Sequence, residues 1–434
     1  MVISDTLAKP LQRMRNVYAE YPRQFWILVA GMFIDTIGRT ILNPFLMLYA
    51  TKRFDVGMTE VGMLFGLMAV ANTVGNMLGG ALTDRLGRKG MMILGLVISG
   101  LSSLTMGLAG TFELFFGVLL FVGLFASIGF PAQQAMVADL LPEEKRAGGF
   151  GVFRVIANMA WILGPVIGGL LATRSYMPLF ICDAVFSSIT AGIVLLAIRE
   201  TKPASIEGKP EQTMAQTFAG YRDVLRDGTY VLFIGACILM TIVYLQLYTT
   251  LGVYLRDTHG FSEQAYGYLM SMNATAVVLF QIPIAHRVAR YRPMMMMALG
   301  TLLYAVGFGM YGLFSSYALF ALAMLIITVG EMVIMPTAQA LVARIAPEDM
   351  RGRYMAVFGF SWMIPQATGP LLAGLIMDNA DPRWVWYAAT LVGVIAAASF
   401  LLLNRRVERS VEPALRATMD GEPHAQVTTL SRTE

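Results

Sequence analysis

Twelve times along this chain a run of about twenty or more residues passes almost without charge. The runs fall near 25–50, 60–82, 90–109, 113–138, 149–172 and 177–198. Six more follow near 229–254, 264–286, 293–313, 317–342, 353–377 and 384–404. A hydrocarbon layer about 30 Å thick takes roughly 20 apolar residues of helix to cross. The pattern therefore predicts an all-α integral membrane protein with twelve transmembrane helices. Composition agrees: the chain is 56% hydrophobic and 14% charged, against about 45–50% and about 25% in soluble domains.

The bases sit in short clusters between the apolar runs, so the net charge of +4 reads as an orientation signal and gives no case for nucleic acid. One set of loops carries Arg13, Arg15, Arg23, Arg85, Arg88, Lys89, Lys145, Arg146, Arg287, Arg290, Arg292, Arg405 and Arg406. The opposite set holds Lys52, Arg53, Arg174, Arg256 and Arg383. The rich side is cytoplasmic by the positive-inside rule, which puts both termini inside. The expected organisation is a cytoplasmic segment 1–24, a six-helix bundle 25–198 and a charged cytoplasmic linker 199–228. A second bundle at 229–404 and a disordered cytoplasmic tail at 405–434 complete it. Residues 1–24 are polar and basic, without a signal-peptide pattern. An excess of Arg over Lys fits GC-rich coding and a bacterial inner membrane. Cys182 and Cys237 both lie in apolar runs, and His259, His286 and His424 are far apart. Neither set has metal-ligand spacing, so no metal and no cofactor is expected.

The two halves are related. FPAQQAMVADLLPEEKRAG, from Phe130, aligns with MPTAQALVARIAPEDMRGR, from Met335: Pro131 falls on Pro336, Gln134 on Gln339, Pro142 on Pro347 and Arg146 on Arg351, a constant offset of 205 residues. Two pseudo-symmetric six-helix bundles follow. Parallel repeats of this kind belong to carriers that bind substrate near the bilayer midplane.

Between the second and third runs lies Gly80-x-Leu82-x-Asp84-Arg85-x-Gly87-Arg88-Lys89. With the twelve runs, the linker and the repeat, this loop resembles the signature of the major facilitator superfamily, and the resemblance covers essentially the whole chain. Gly164-Pro165-x-x-Gly168-Gly169 in the fifth run is similar to the motif of that superfamily's drug:proton antiporters. Many of those carry an arginine in the fourth helix, whereas residues 114–138 contain none. The departure weighs against the usual proton-coupling scheme of the branch.

Gly80 and Gly87 suit close helix approach and a tight turn. In the superfamily the Asp84 position faces the start of the eleventh helix, and the Arg88 position faces an acid at the end of the fourth, here Asp139. The implied role is a cytoplasmic latch between halves, formed by Gly80, Asp84, Arg85, Gly87, Arg88 and Asp139. A plain orientation signal is the alternative. At the 205-residue offset Asp84 becomes Ala289 and Asp139 becomes Arg344, so the acids belong to one half.

Ionisable side chains within a span are costly and are candidates for function. Five stand out: Asp35, Arg39, Arg154, Asp183 and Glu331. Asp35 lies about 15 Å into its helix, with Arg39 and Asn43 on the same face. A carboxylate there must pair or take up a proton. Asp35 is thus either half of a static pair with Arg39 or a proton carrier. Glu331, near mid-depth, is the second proton-coupling candidate. Arg154 sits close enough to the interface to snorkel, and Asp183 reads as a helix-end or packing group. Arg39, Asn43, Asn158, Gln246, Asn273 and Gln366 are candidates to line a substrate cavity. The 31 methionines suit adaptable apolar recognition.

No Walker A, H-E-x-x-H or G-x-S-x-G sequence occurs, so an enzyme is not expected. The leading reading is a monomeric secondary transporter that couples efflux of amphipathic small molecules to protons by alternating access. A carrier for a defined solute or lipid, and a non-transporting sensor, are the alternatives.

Overall fold

The computed structural model describes residues 19–202, 224–347 and 350–419, without the side chains at 81, 84, 85, 147, 351, 352 and 405–419. Most of the expected linker lies outside the described residues. Among those described there are twelve long helices and no strand: α1 (Arg23–Phe54), α2 (Met58–Leu86), α3 (Arg88–Leu108), α4 (Phe112–Leu140), α5 (Glu143–Ala172) and α6 (Met177–Ala197). The second six are α7 (Gly228–Thr249, resuming as Leu251–His259), α8 (Glu263–Val288), α9 (Pro293–Leu313), α10 (Tyr317–Ile345), α11 (Arg351–Asn379) and α12 (Trp384–Met419). Eleven are long and apolar enough to cross a membrane. The other, α11, has 29 residues but carries Ser361, Gln366, Thr368 and Asp378 along its length, which lowers its apolarity.

Helix ends follow the repeat. The 205-residue offset carries α3 onto α9 and α4 onto α10 at both ends, and it carries Arg23 onto Gly228. It also carries a defect. In α1 a 3-10 turn spans Asn43–Phe45, because Pro44 has no N–H for the ladder. At the matching place α7 breaks between Thr249 and Leu251. No proline stands there; the Thr250 hydroxyl instead donates to the Gln246 side chain at 2.6 Å. After Asn404, where the sequence marks a disordered tail, α12 continues as helix to Met419. That stretch holds four Arg, two Glu and two Ala, all good helix formers, together with Pro413.

Large apolar side chains point outward along the helices, with Met77, Leu101, Leu196 and Leu402 more than half exposed. Water would penalise such a surface, whereas lipid accepts it.

The described chain forms two compact units, and their limits differ from the expected bundles. The first unit contains α1–α6 together with Gln246–Val278 and Pro370–Asn379. In it α1 packs on α5 and α6, α3 on α6, and α2 on α4. The second unit contains Leu279–Gly369 with the start of α7 and α12. There α9 packs against both α10 and α12, around Trp386, Tyr304, Phe308, Tyr311 and Phe320. Tyr230 donates to the Tyr354 carbonyl at 2.5 Å, and the Tyr354 hydroxyl reaches Asp227 at 3.1 Å.

The first unit reaches into the second half of the sequence because of close backbone contacts, and the α5 motif makes two of them. A Cβ on Gly168 would lie 2.4 Å from the Ile41 carbonyl oxygen, and one on Gly164 would lie 2.1 Å from Thr40 Oγ1. A Cβ on Gly169 would meet the Glu263 and Gln264 backbone at 2.9 Å, while α8 in turn brings Gly267 against the Pro165 carbonyl. Gly164, Pro165, Gly168 and Gly169 are therefore where α5 touches α1 and the start of α8. Hydrocarbon provides no hydrophobic drive between helices, so such small-residue contacts supply the packing.

Gly168→Ala should lower the thermal unfolding midpoint of the purified protein, since overpacking costs about 1–3 kcal/mol. Gly192→Ala, in α6 where a Cβ would meet open space, should leave the midpoint unchanged or raise it. Equal midpoints for the two variants would show that the α5 contact is not tight.

Candidate functional site

Within the first unit, α1, α2, α3, α4 and α6 surround a cavity of about 400 Å³. Met32, Met68, Met92, Met106 and Phe130 give it an apolar wall; Asn43, Asn72, Asn76, Ser99, Ser127 and Gln133 give it polar points. Three ionisable groups also line it: Asp35, Arg39 and Asp183.

Asp35 is buried, and both its oxygens are engaged. Arg39 Nε stands 3.1 Å from Oδ2, and the Ser187 hydroxyl donates to Oδ1 at 2.9 Å. The pair is asymmetric: the Arg39 side chain is 44% exposed and that of Asp35 only 4%. α6 can come this close because Gly38 of α1 faces Asp183 and Phe186, and Thr190 donates to the Gly31 carbonyl at 2.8 Å. Asp183, expected as a helix-end or packing group, is also buried. It stands on the cavity wall, with one oxygen accepting the Ser103 hydroxyl. The available signal was a serine and a carboxylate within two apolar runs, but only packing brings α3 and α6 together.

The remaining candidates lie elsewhere. Gln246 is spent on Thr250 within the α7 break, and Asn273 is buried in α8. Asn158 is half-buried and Arg154 exposed on α5. Glu331 is half-buried on α10 and Gln366 exposed on α11, both in the second unit. None of these six lines the cavity. Among the described residues, no group of three or more His, Cys, Asp or Glu could hold a metal ion.

At the α2–α3 turn, Arg88 Nε lies 3.1 Å from Asp139 Oδ2, and Thr201 also reaches that oxygen at 3.3 Å. The Asp84 and Arg85 side chains lie outside the description. Gly80, expected at a close approach, has open space where a Cβ would stand. Gly87 is the constrained glycine: its φ is +100°, and a Cβ there would fall 2.6 Å from Glu200, a combination that favours glycine. Glu200, which sequence reading passed over, caps α3. Its carboxylate accepts the N–H groups of Arg88 at 2.9 Å and Lys89 at 3.1 Å, and those of Thr201 and Lys202. Burial opposes the charge, but these four donors outweigh it and hold the Glu200 carboxyl below its ordinary value of 4.5.

At the other end of the first unit stands a second cluster that the sequence did not announce. Asp378 accepts the first N–H groups of α2, from Met58 at 3.0 Å and Thr59 at 2.7 Å. Glu263 holds Lys52 at 3.0 Å and the Tyr176 hydroxyl at 2.9 Å. Burial, ahead of the neighbouring Glu263 charge, pushes the Tyr176 hydroxyl up and keeps it a donor. Arg256 donates to the Leu48 carbonyl at 2.8 Å and to Thr51 at 3.0 Å. Acids placed at helix N-termini are favoured by the unsatisfied N–H groups there.

A family model described as Major Facilitator Superfamily matches residues 28–266 and 247–431. The chain belongs to the Major Facilitator Superfamily. It is thus a multi-pass membrane transporter, which binds small-molecule substrates in the membrane, and its family is not one of enzymes. This superfamily member is 26% identical to a Na(+), Li(+), K(+)/H(+) antiporter of Planococcus maritimus, over 81% of this chain and 89% of the relative. It is 24% identical to the quinolone resistance protein NorA of Staphylococcus aureus, over 89% of this chain and 98% of the relative. In fold it is similar to the nucleoside transporter NupG, with a TM-score of 0.77 at 14% identity, covering 88% of this chain and 100% of that one.

Glu200→Gln should lower the unfolding midpoint at neutral pH, by an amount worth about 0.3–1 kcal/mol. Because the folded carboxyl is held below 4.5, its contribution is fully present above that pH and is lost as pH falls through the folded value. The gap between variant and wild type should therefore close on acidification; a gap that persists at acid pH would contradict the cap.

Proposed function

We propose that this transporter exports amphipathic small molecules in exchange for protons, by alternating access across a bacterial inner membrane. The observation that carries the reading is the Asp35–Arg39 pair, a buried carboxylate with a half-exposed partner on the wall of a methionine-lined cavity. A pair of this kind is held in place yet open to exchange. Met and Phe surfaces adapt to apolar ligands of varied shape. NorA, a quinolone resistance protein by name, and the cation/H(+) antiporter support the same direction. Glu331 on α10, in the second unit, is the other candidate.

On this reading both termini are cytoplasmic, following the loop bias in Lys and Arg, and the chain works as a monomer. Asp84, Arg85, Arg88 and Asp139 act as a cytoplasmic latch that favours one state of the cycle. Asp84→Asn should then slow transport while leaving ligand binding intact, because it removes a conformational bias.

The test is ethidium movement in proteoliposomes with an imposed proton gradient. Wild type should drive ethidium uphill, whereas Asp35→Asn should lose uphill movement and retain exchange. A merely static pair gives a different pattern. Asp35→Asn would then destabilise the protein by stranding Arg39, and adding Arg39→Gln would restore stability and uphill transport together. Glu331→Gln is the companion variant. Uphill transport surviving in both single carboxyl variants would remove proton antiport through these residues.

A further inference from the structure

The Asp35–Arg39 pair leaves one charged group of the cavity unaccounted for. Asp183 is 3% exposed. The Ser103 hydroxyl serves its Oδ2, while Oδ1 is closed off from solvent and has no hydrogen-bond partner among the described residues. An ionised carboxylate with an empty oxygen in such a place is expensive. The base that could neutralise it, Arg39, is engaged by Asp35. Asp35, Arg39 and Asp183 nevertheless line one cavity.

We propose that Asp183 holds the coupling proton in this state, and that Arg39 moves from Asp35 to Asp183 when that proton leaves. The inference rests on the proton-coupled reading above and moves its proton from Asp35 to Asp183, Asp35 staying ionised as a partner of Arg39. A proton suits the site better than a metal ion. The Asp183 Cα and Oδ1 lie 3.1 and 3.2 Å from the position of a Cβ on Gly38, so no coordination shell fits on that side. Of the helices packed on α6, α1 contributes Asp35 and Arg39, with Arg23 at its start and Lys52 and Arg53 in its last turn; α3 has no acid or base beyond Arg88 and Lys89 at its far end; α5 has none after Arg154; and α6 itself adds only Cys182.

The charges balance through the cycle. With the proton on Asp183, the three groups sum to zero, as one carboxylate, one guanidinium and one neutral acid. Release of that proton to water leaves a net charge of minus one, shared by two carboxylates around Arg39. A cationic amphiphile entering the apolar side of the cavity restores neutrality, and reprotonation of Asp183 expels it. Proton and organic cation thus exclude each other electrostatically, one for one.

Infrared difference spectroscopy of the purified protein across a pH titration tests this directly through the C=O stretch of a protonated carboxyl. The band should vanish in Asp183→Asn and shift in Ser103→Ala, which removes the hydroxyl donated to that group. It should also vanish in Asp35→Asn, where Arg39 turns to Asp183, and return in Asp35→Asn with Arg39→Gln. Glu331→Gln should leave it in place. A band that neither vanishes in Asp183→Asn nor shifts in Ser103→Ala overturns the assignment, and Ser103→Ala keeps the test alive should Asp183→Asn not fold. These readings need no transport. Loss of the proton-coupled reading, seen as wild-type ethidium movement indifferent to the gradient, is thereby distinguished from loss of the Asp183 assignment.

Discussion

A carboxylate set among apolar helices has to be neutralised where it stands, and the packing of the first unit follows from that at Asp35. Its partner Arg39 comes from the next turn of the same helix, and its second donor, Ser187, comes from α6. For Ser187 to arrive, α6 must lie directly on α1. The small residues Gly31 and Gly38 make that approach possible, and Thr190 fastens it to a main-chain carbonyl. The same approach brings Asp183 to the cavity wall. Polar pairing and close helix contact are one arrangement here, because hydrocarbon rewards neither an unpaired charge nor a loosely packed backbone.

The α5 motif shows how a family pattern can be carried by packing. Its glycines sit where α5 meets α1 and the start of α8, close enough that a methyl group would collide with main-chain or side-chain atoms. None of the four motif residues lines the cavity. A transporter must let helices slide against one another while keeping their backbones satisfied, and flat glycine faces permit both. In this chain the motif is a packing surface, a matter of which helices can lie close together.

Helix ends form the third theme. Glu200 on α3 and Asp378 on α2 each place a carboxylate against N–H groups that the helix cannot satisfy itself. Arg146 does the converse at the end of α4, donating to the Ala138 carbonyl at 3.0 Å and the Leu141 carbonyl at 3.2 Å. Such contacts are modest in energy and depend on where helix ends happen to meet. They are well suited to being made in one state of a transport cycle and broken in another.

What the sequence determined by itself was one-dimensional. Apolar run length defined the helices, and the 205-residue offset marked two related halves, an offset that the ends of α3 with α9 and of α4 with α10 keep. The spacing of Asp35 and Arg39 put both on one helix face. Each of these depends on residues near one another in the chain or on a period within it. The tertiary structure decided what belongs together across the chain. It placed Asp183 beside Ser103 on the cavity wall and Glu200 over the start of α3. It left Asn158, Gln246, Asn273, Glu331 and Gln366 off that wall. A polar residue in an apolar run advertises that it needs a partner, but not which one. The rotation and crossing of each helix choose the partner, and those are set by contacts between glycine faces and carbonyls that leave no period to read.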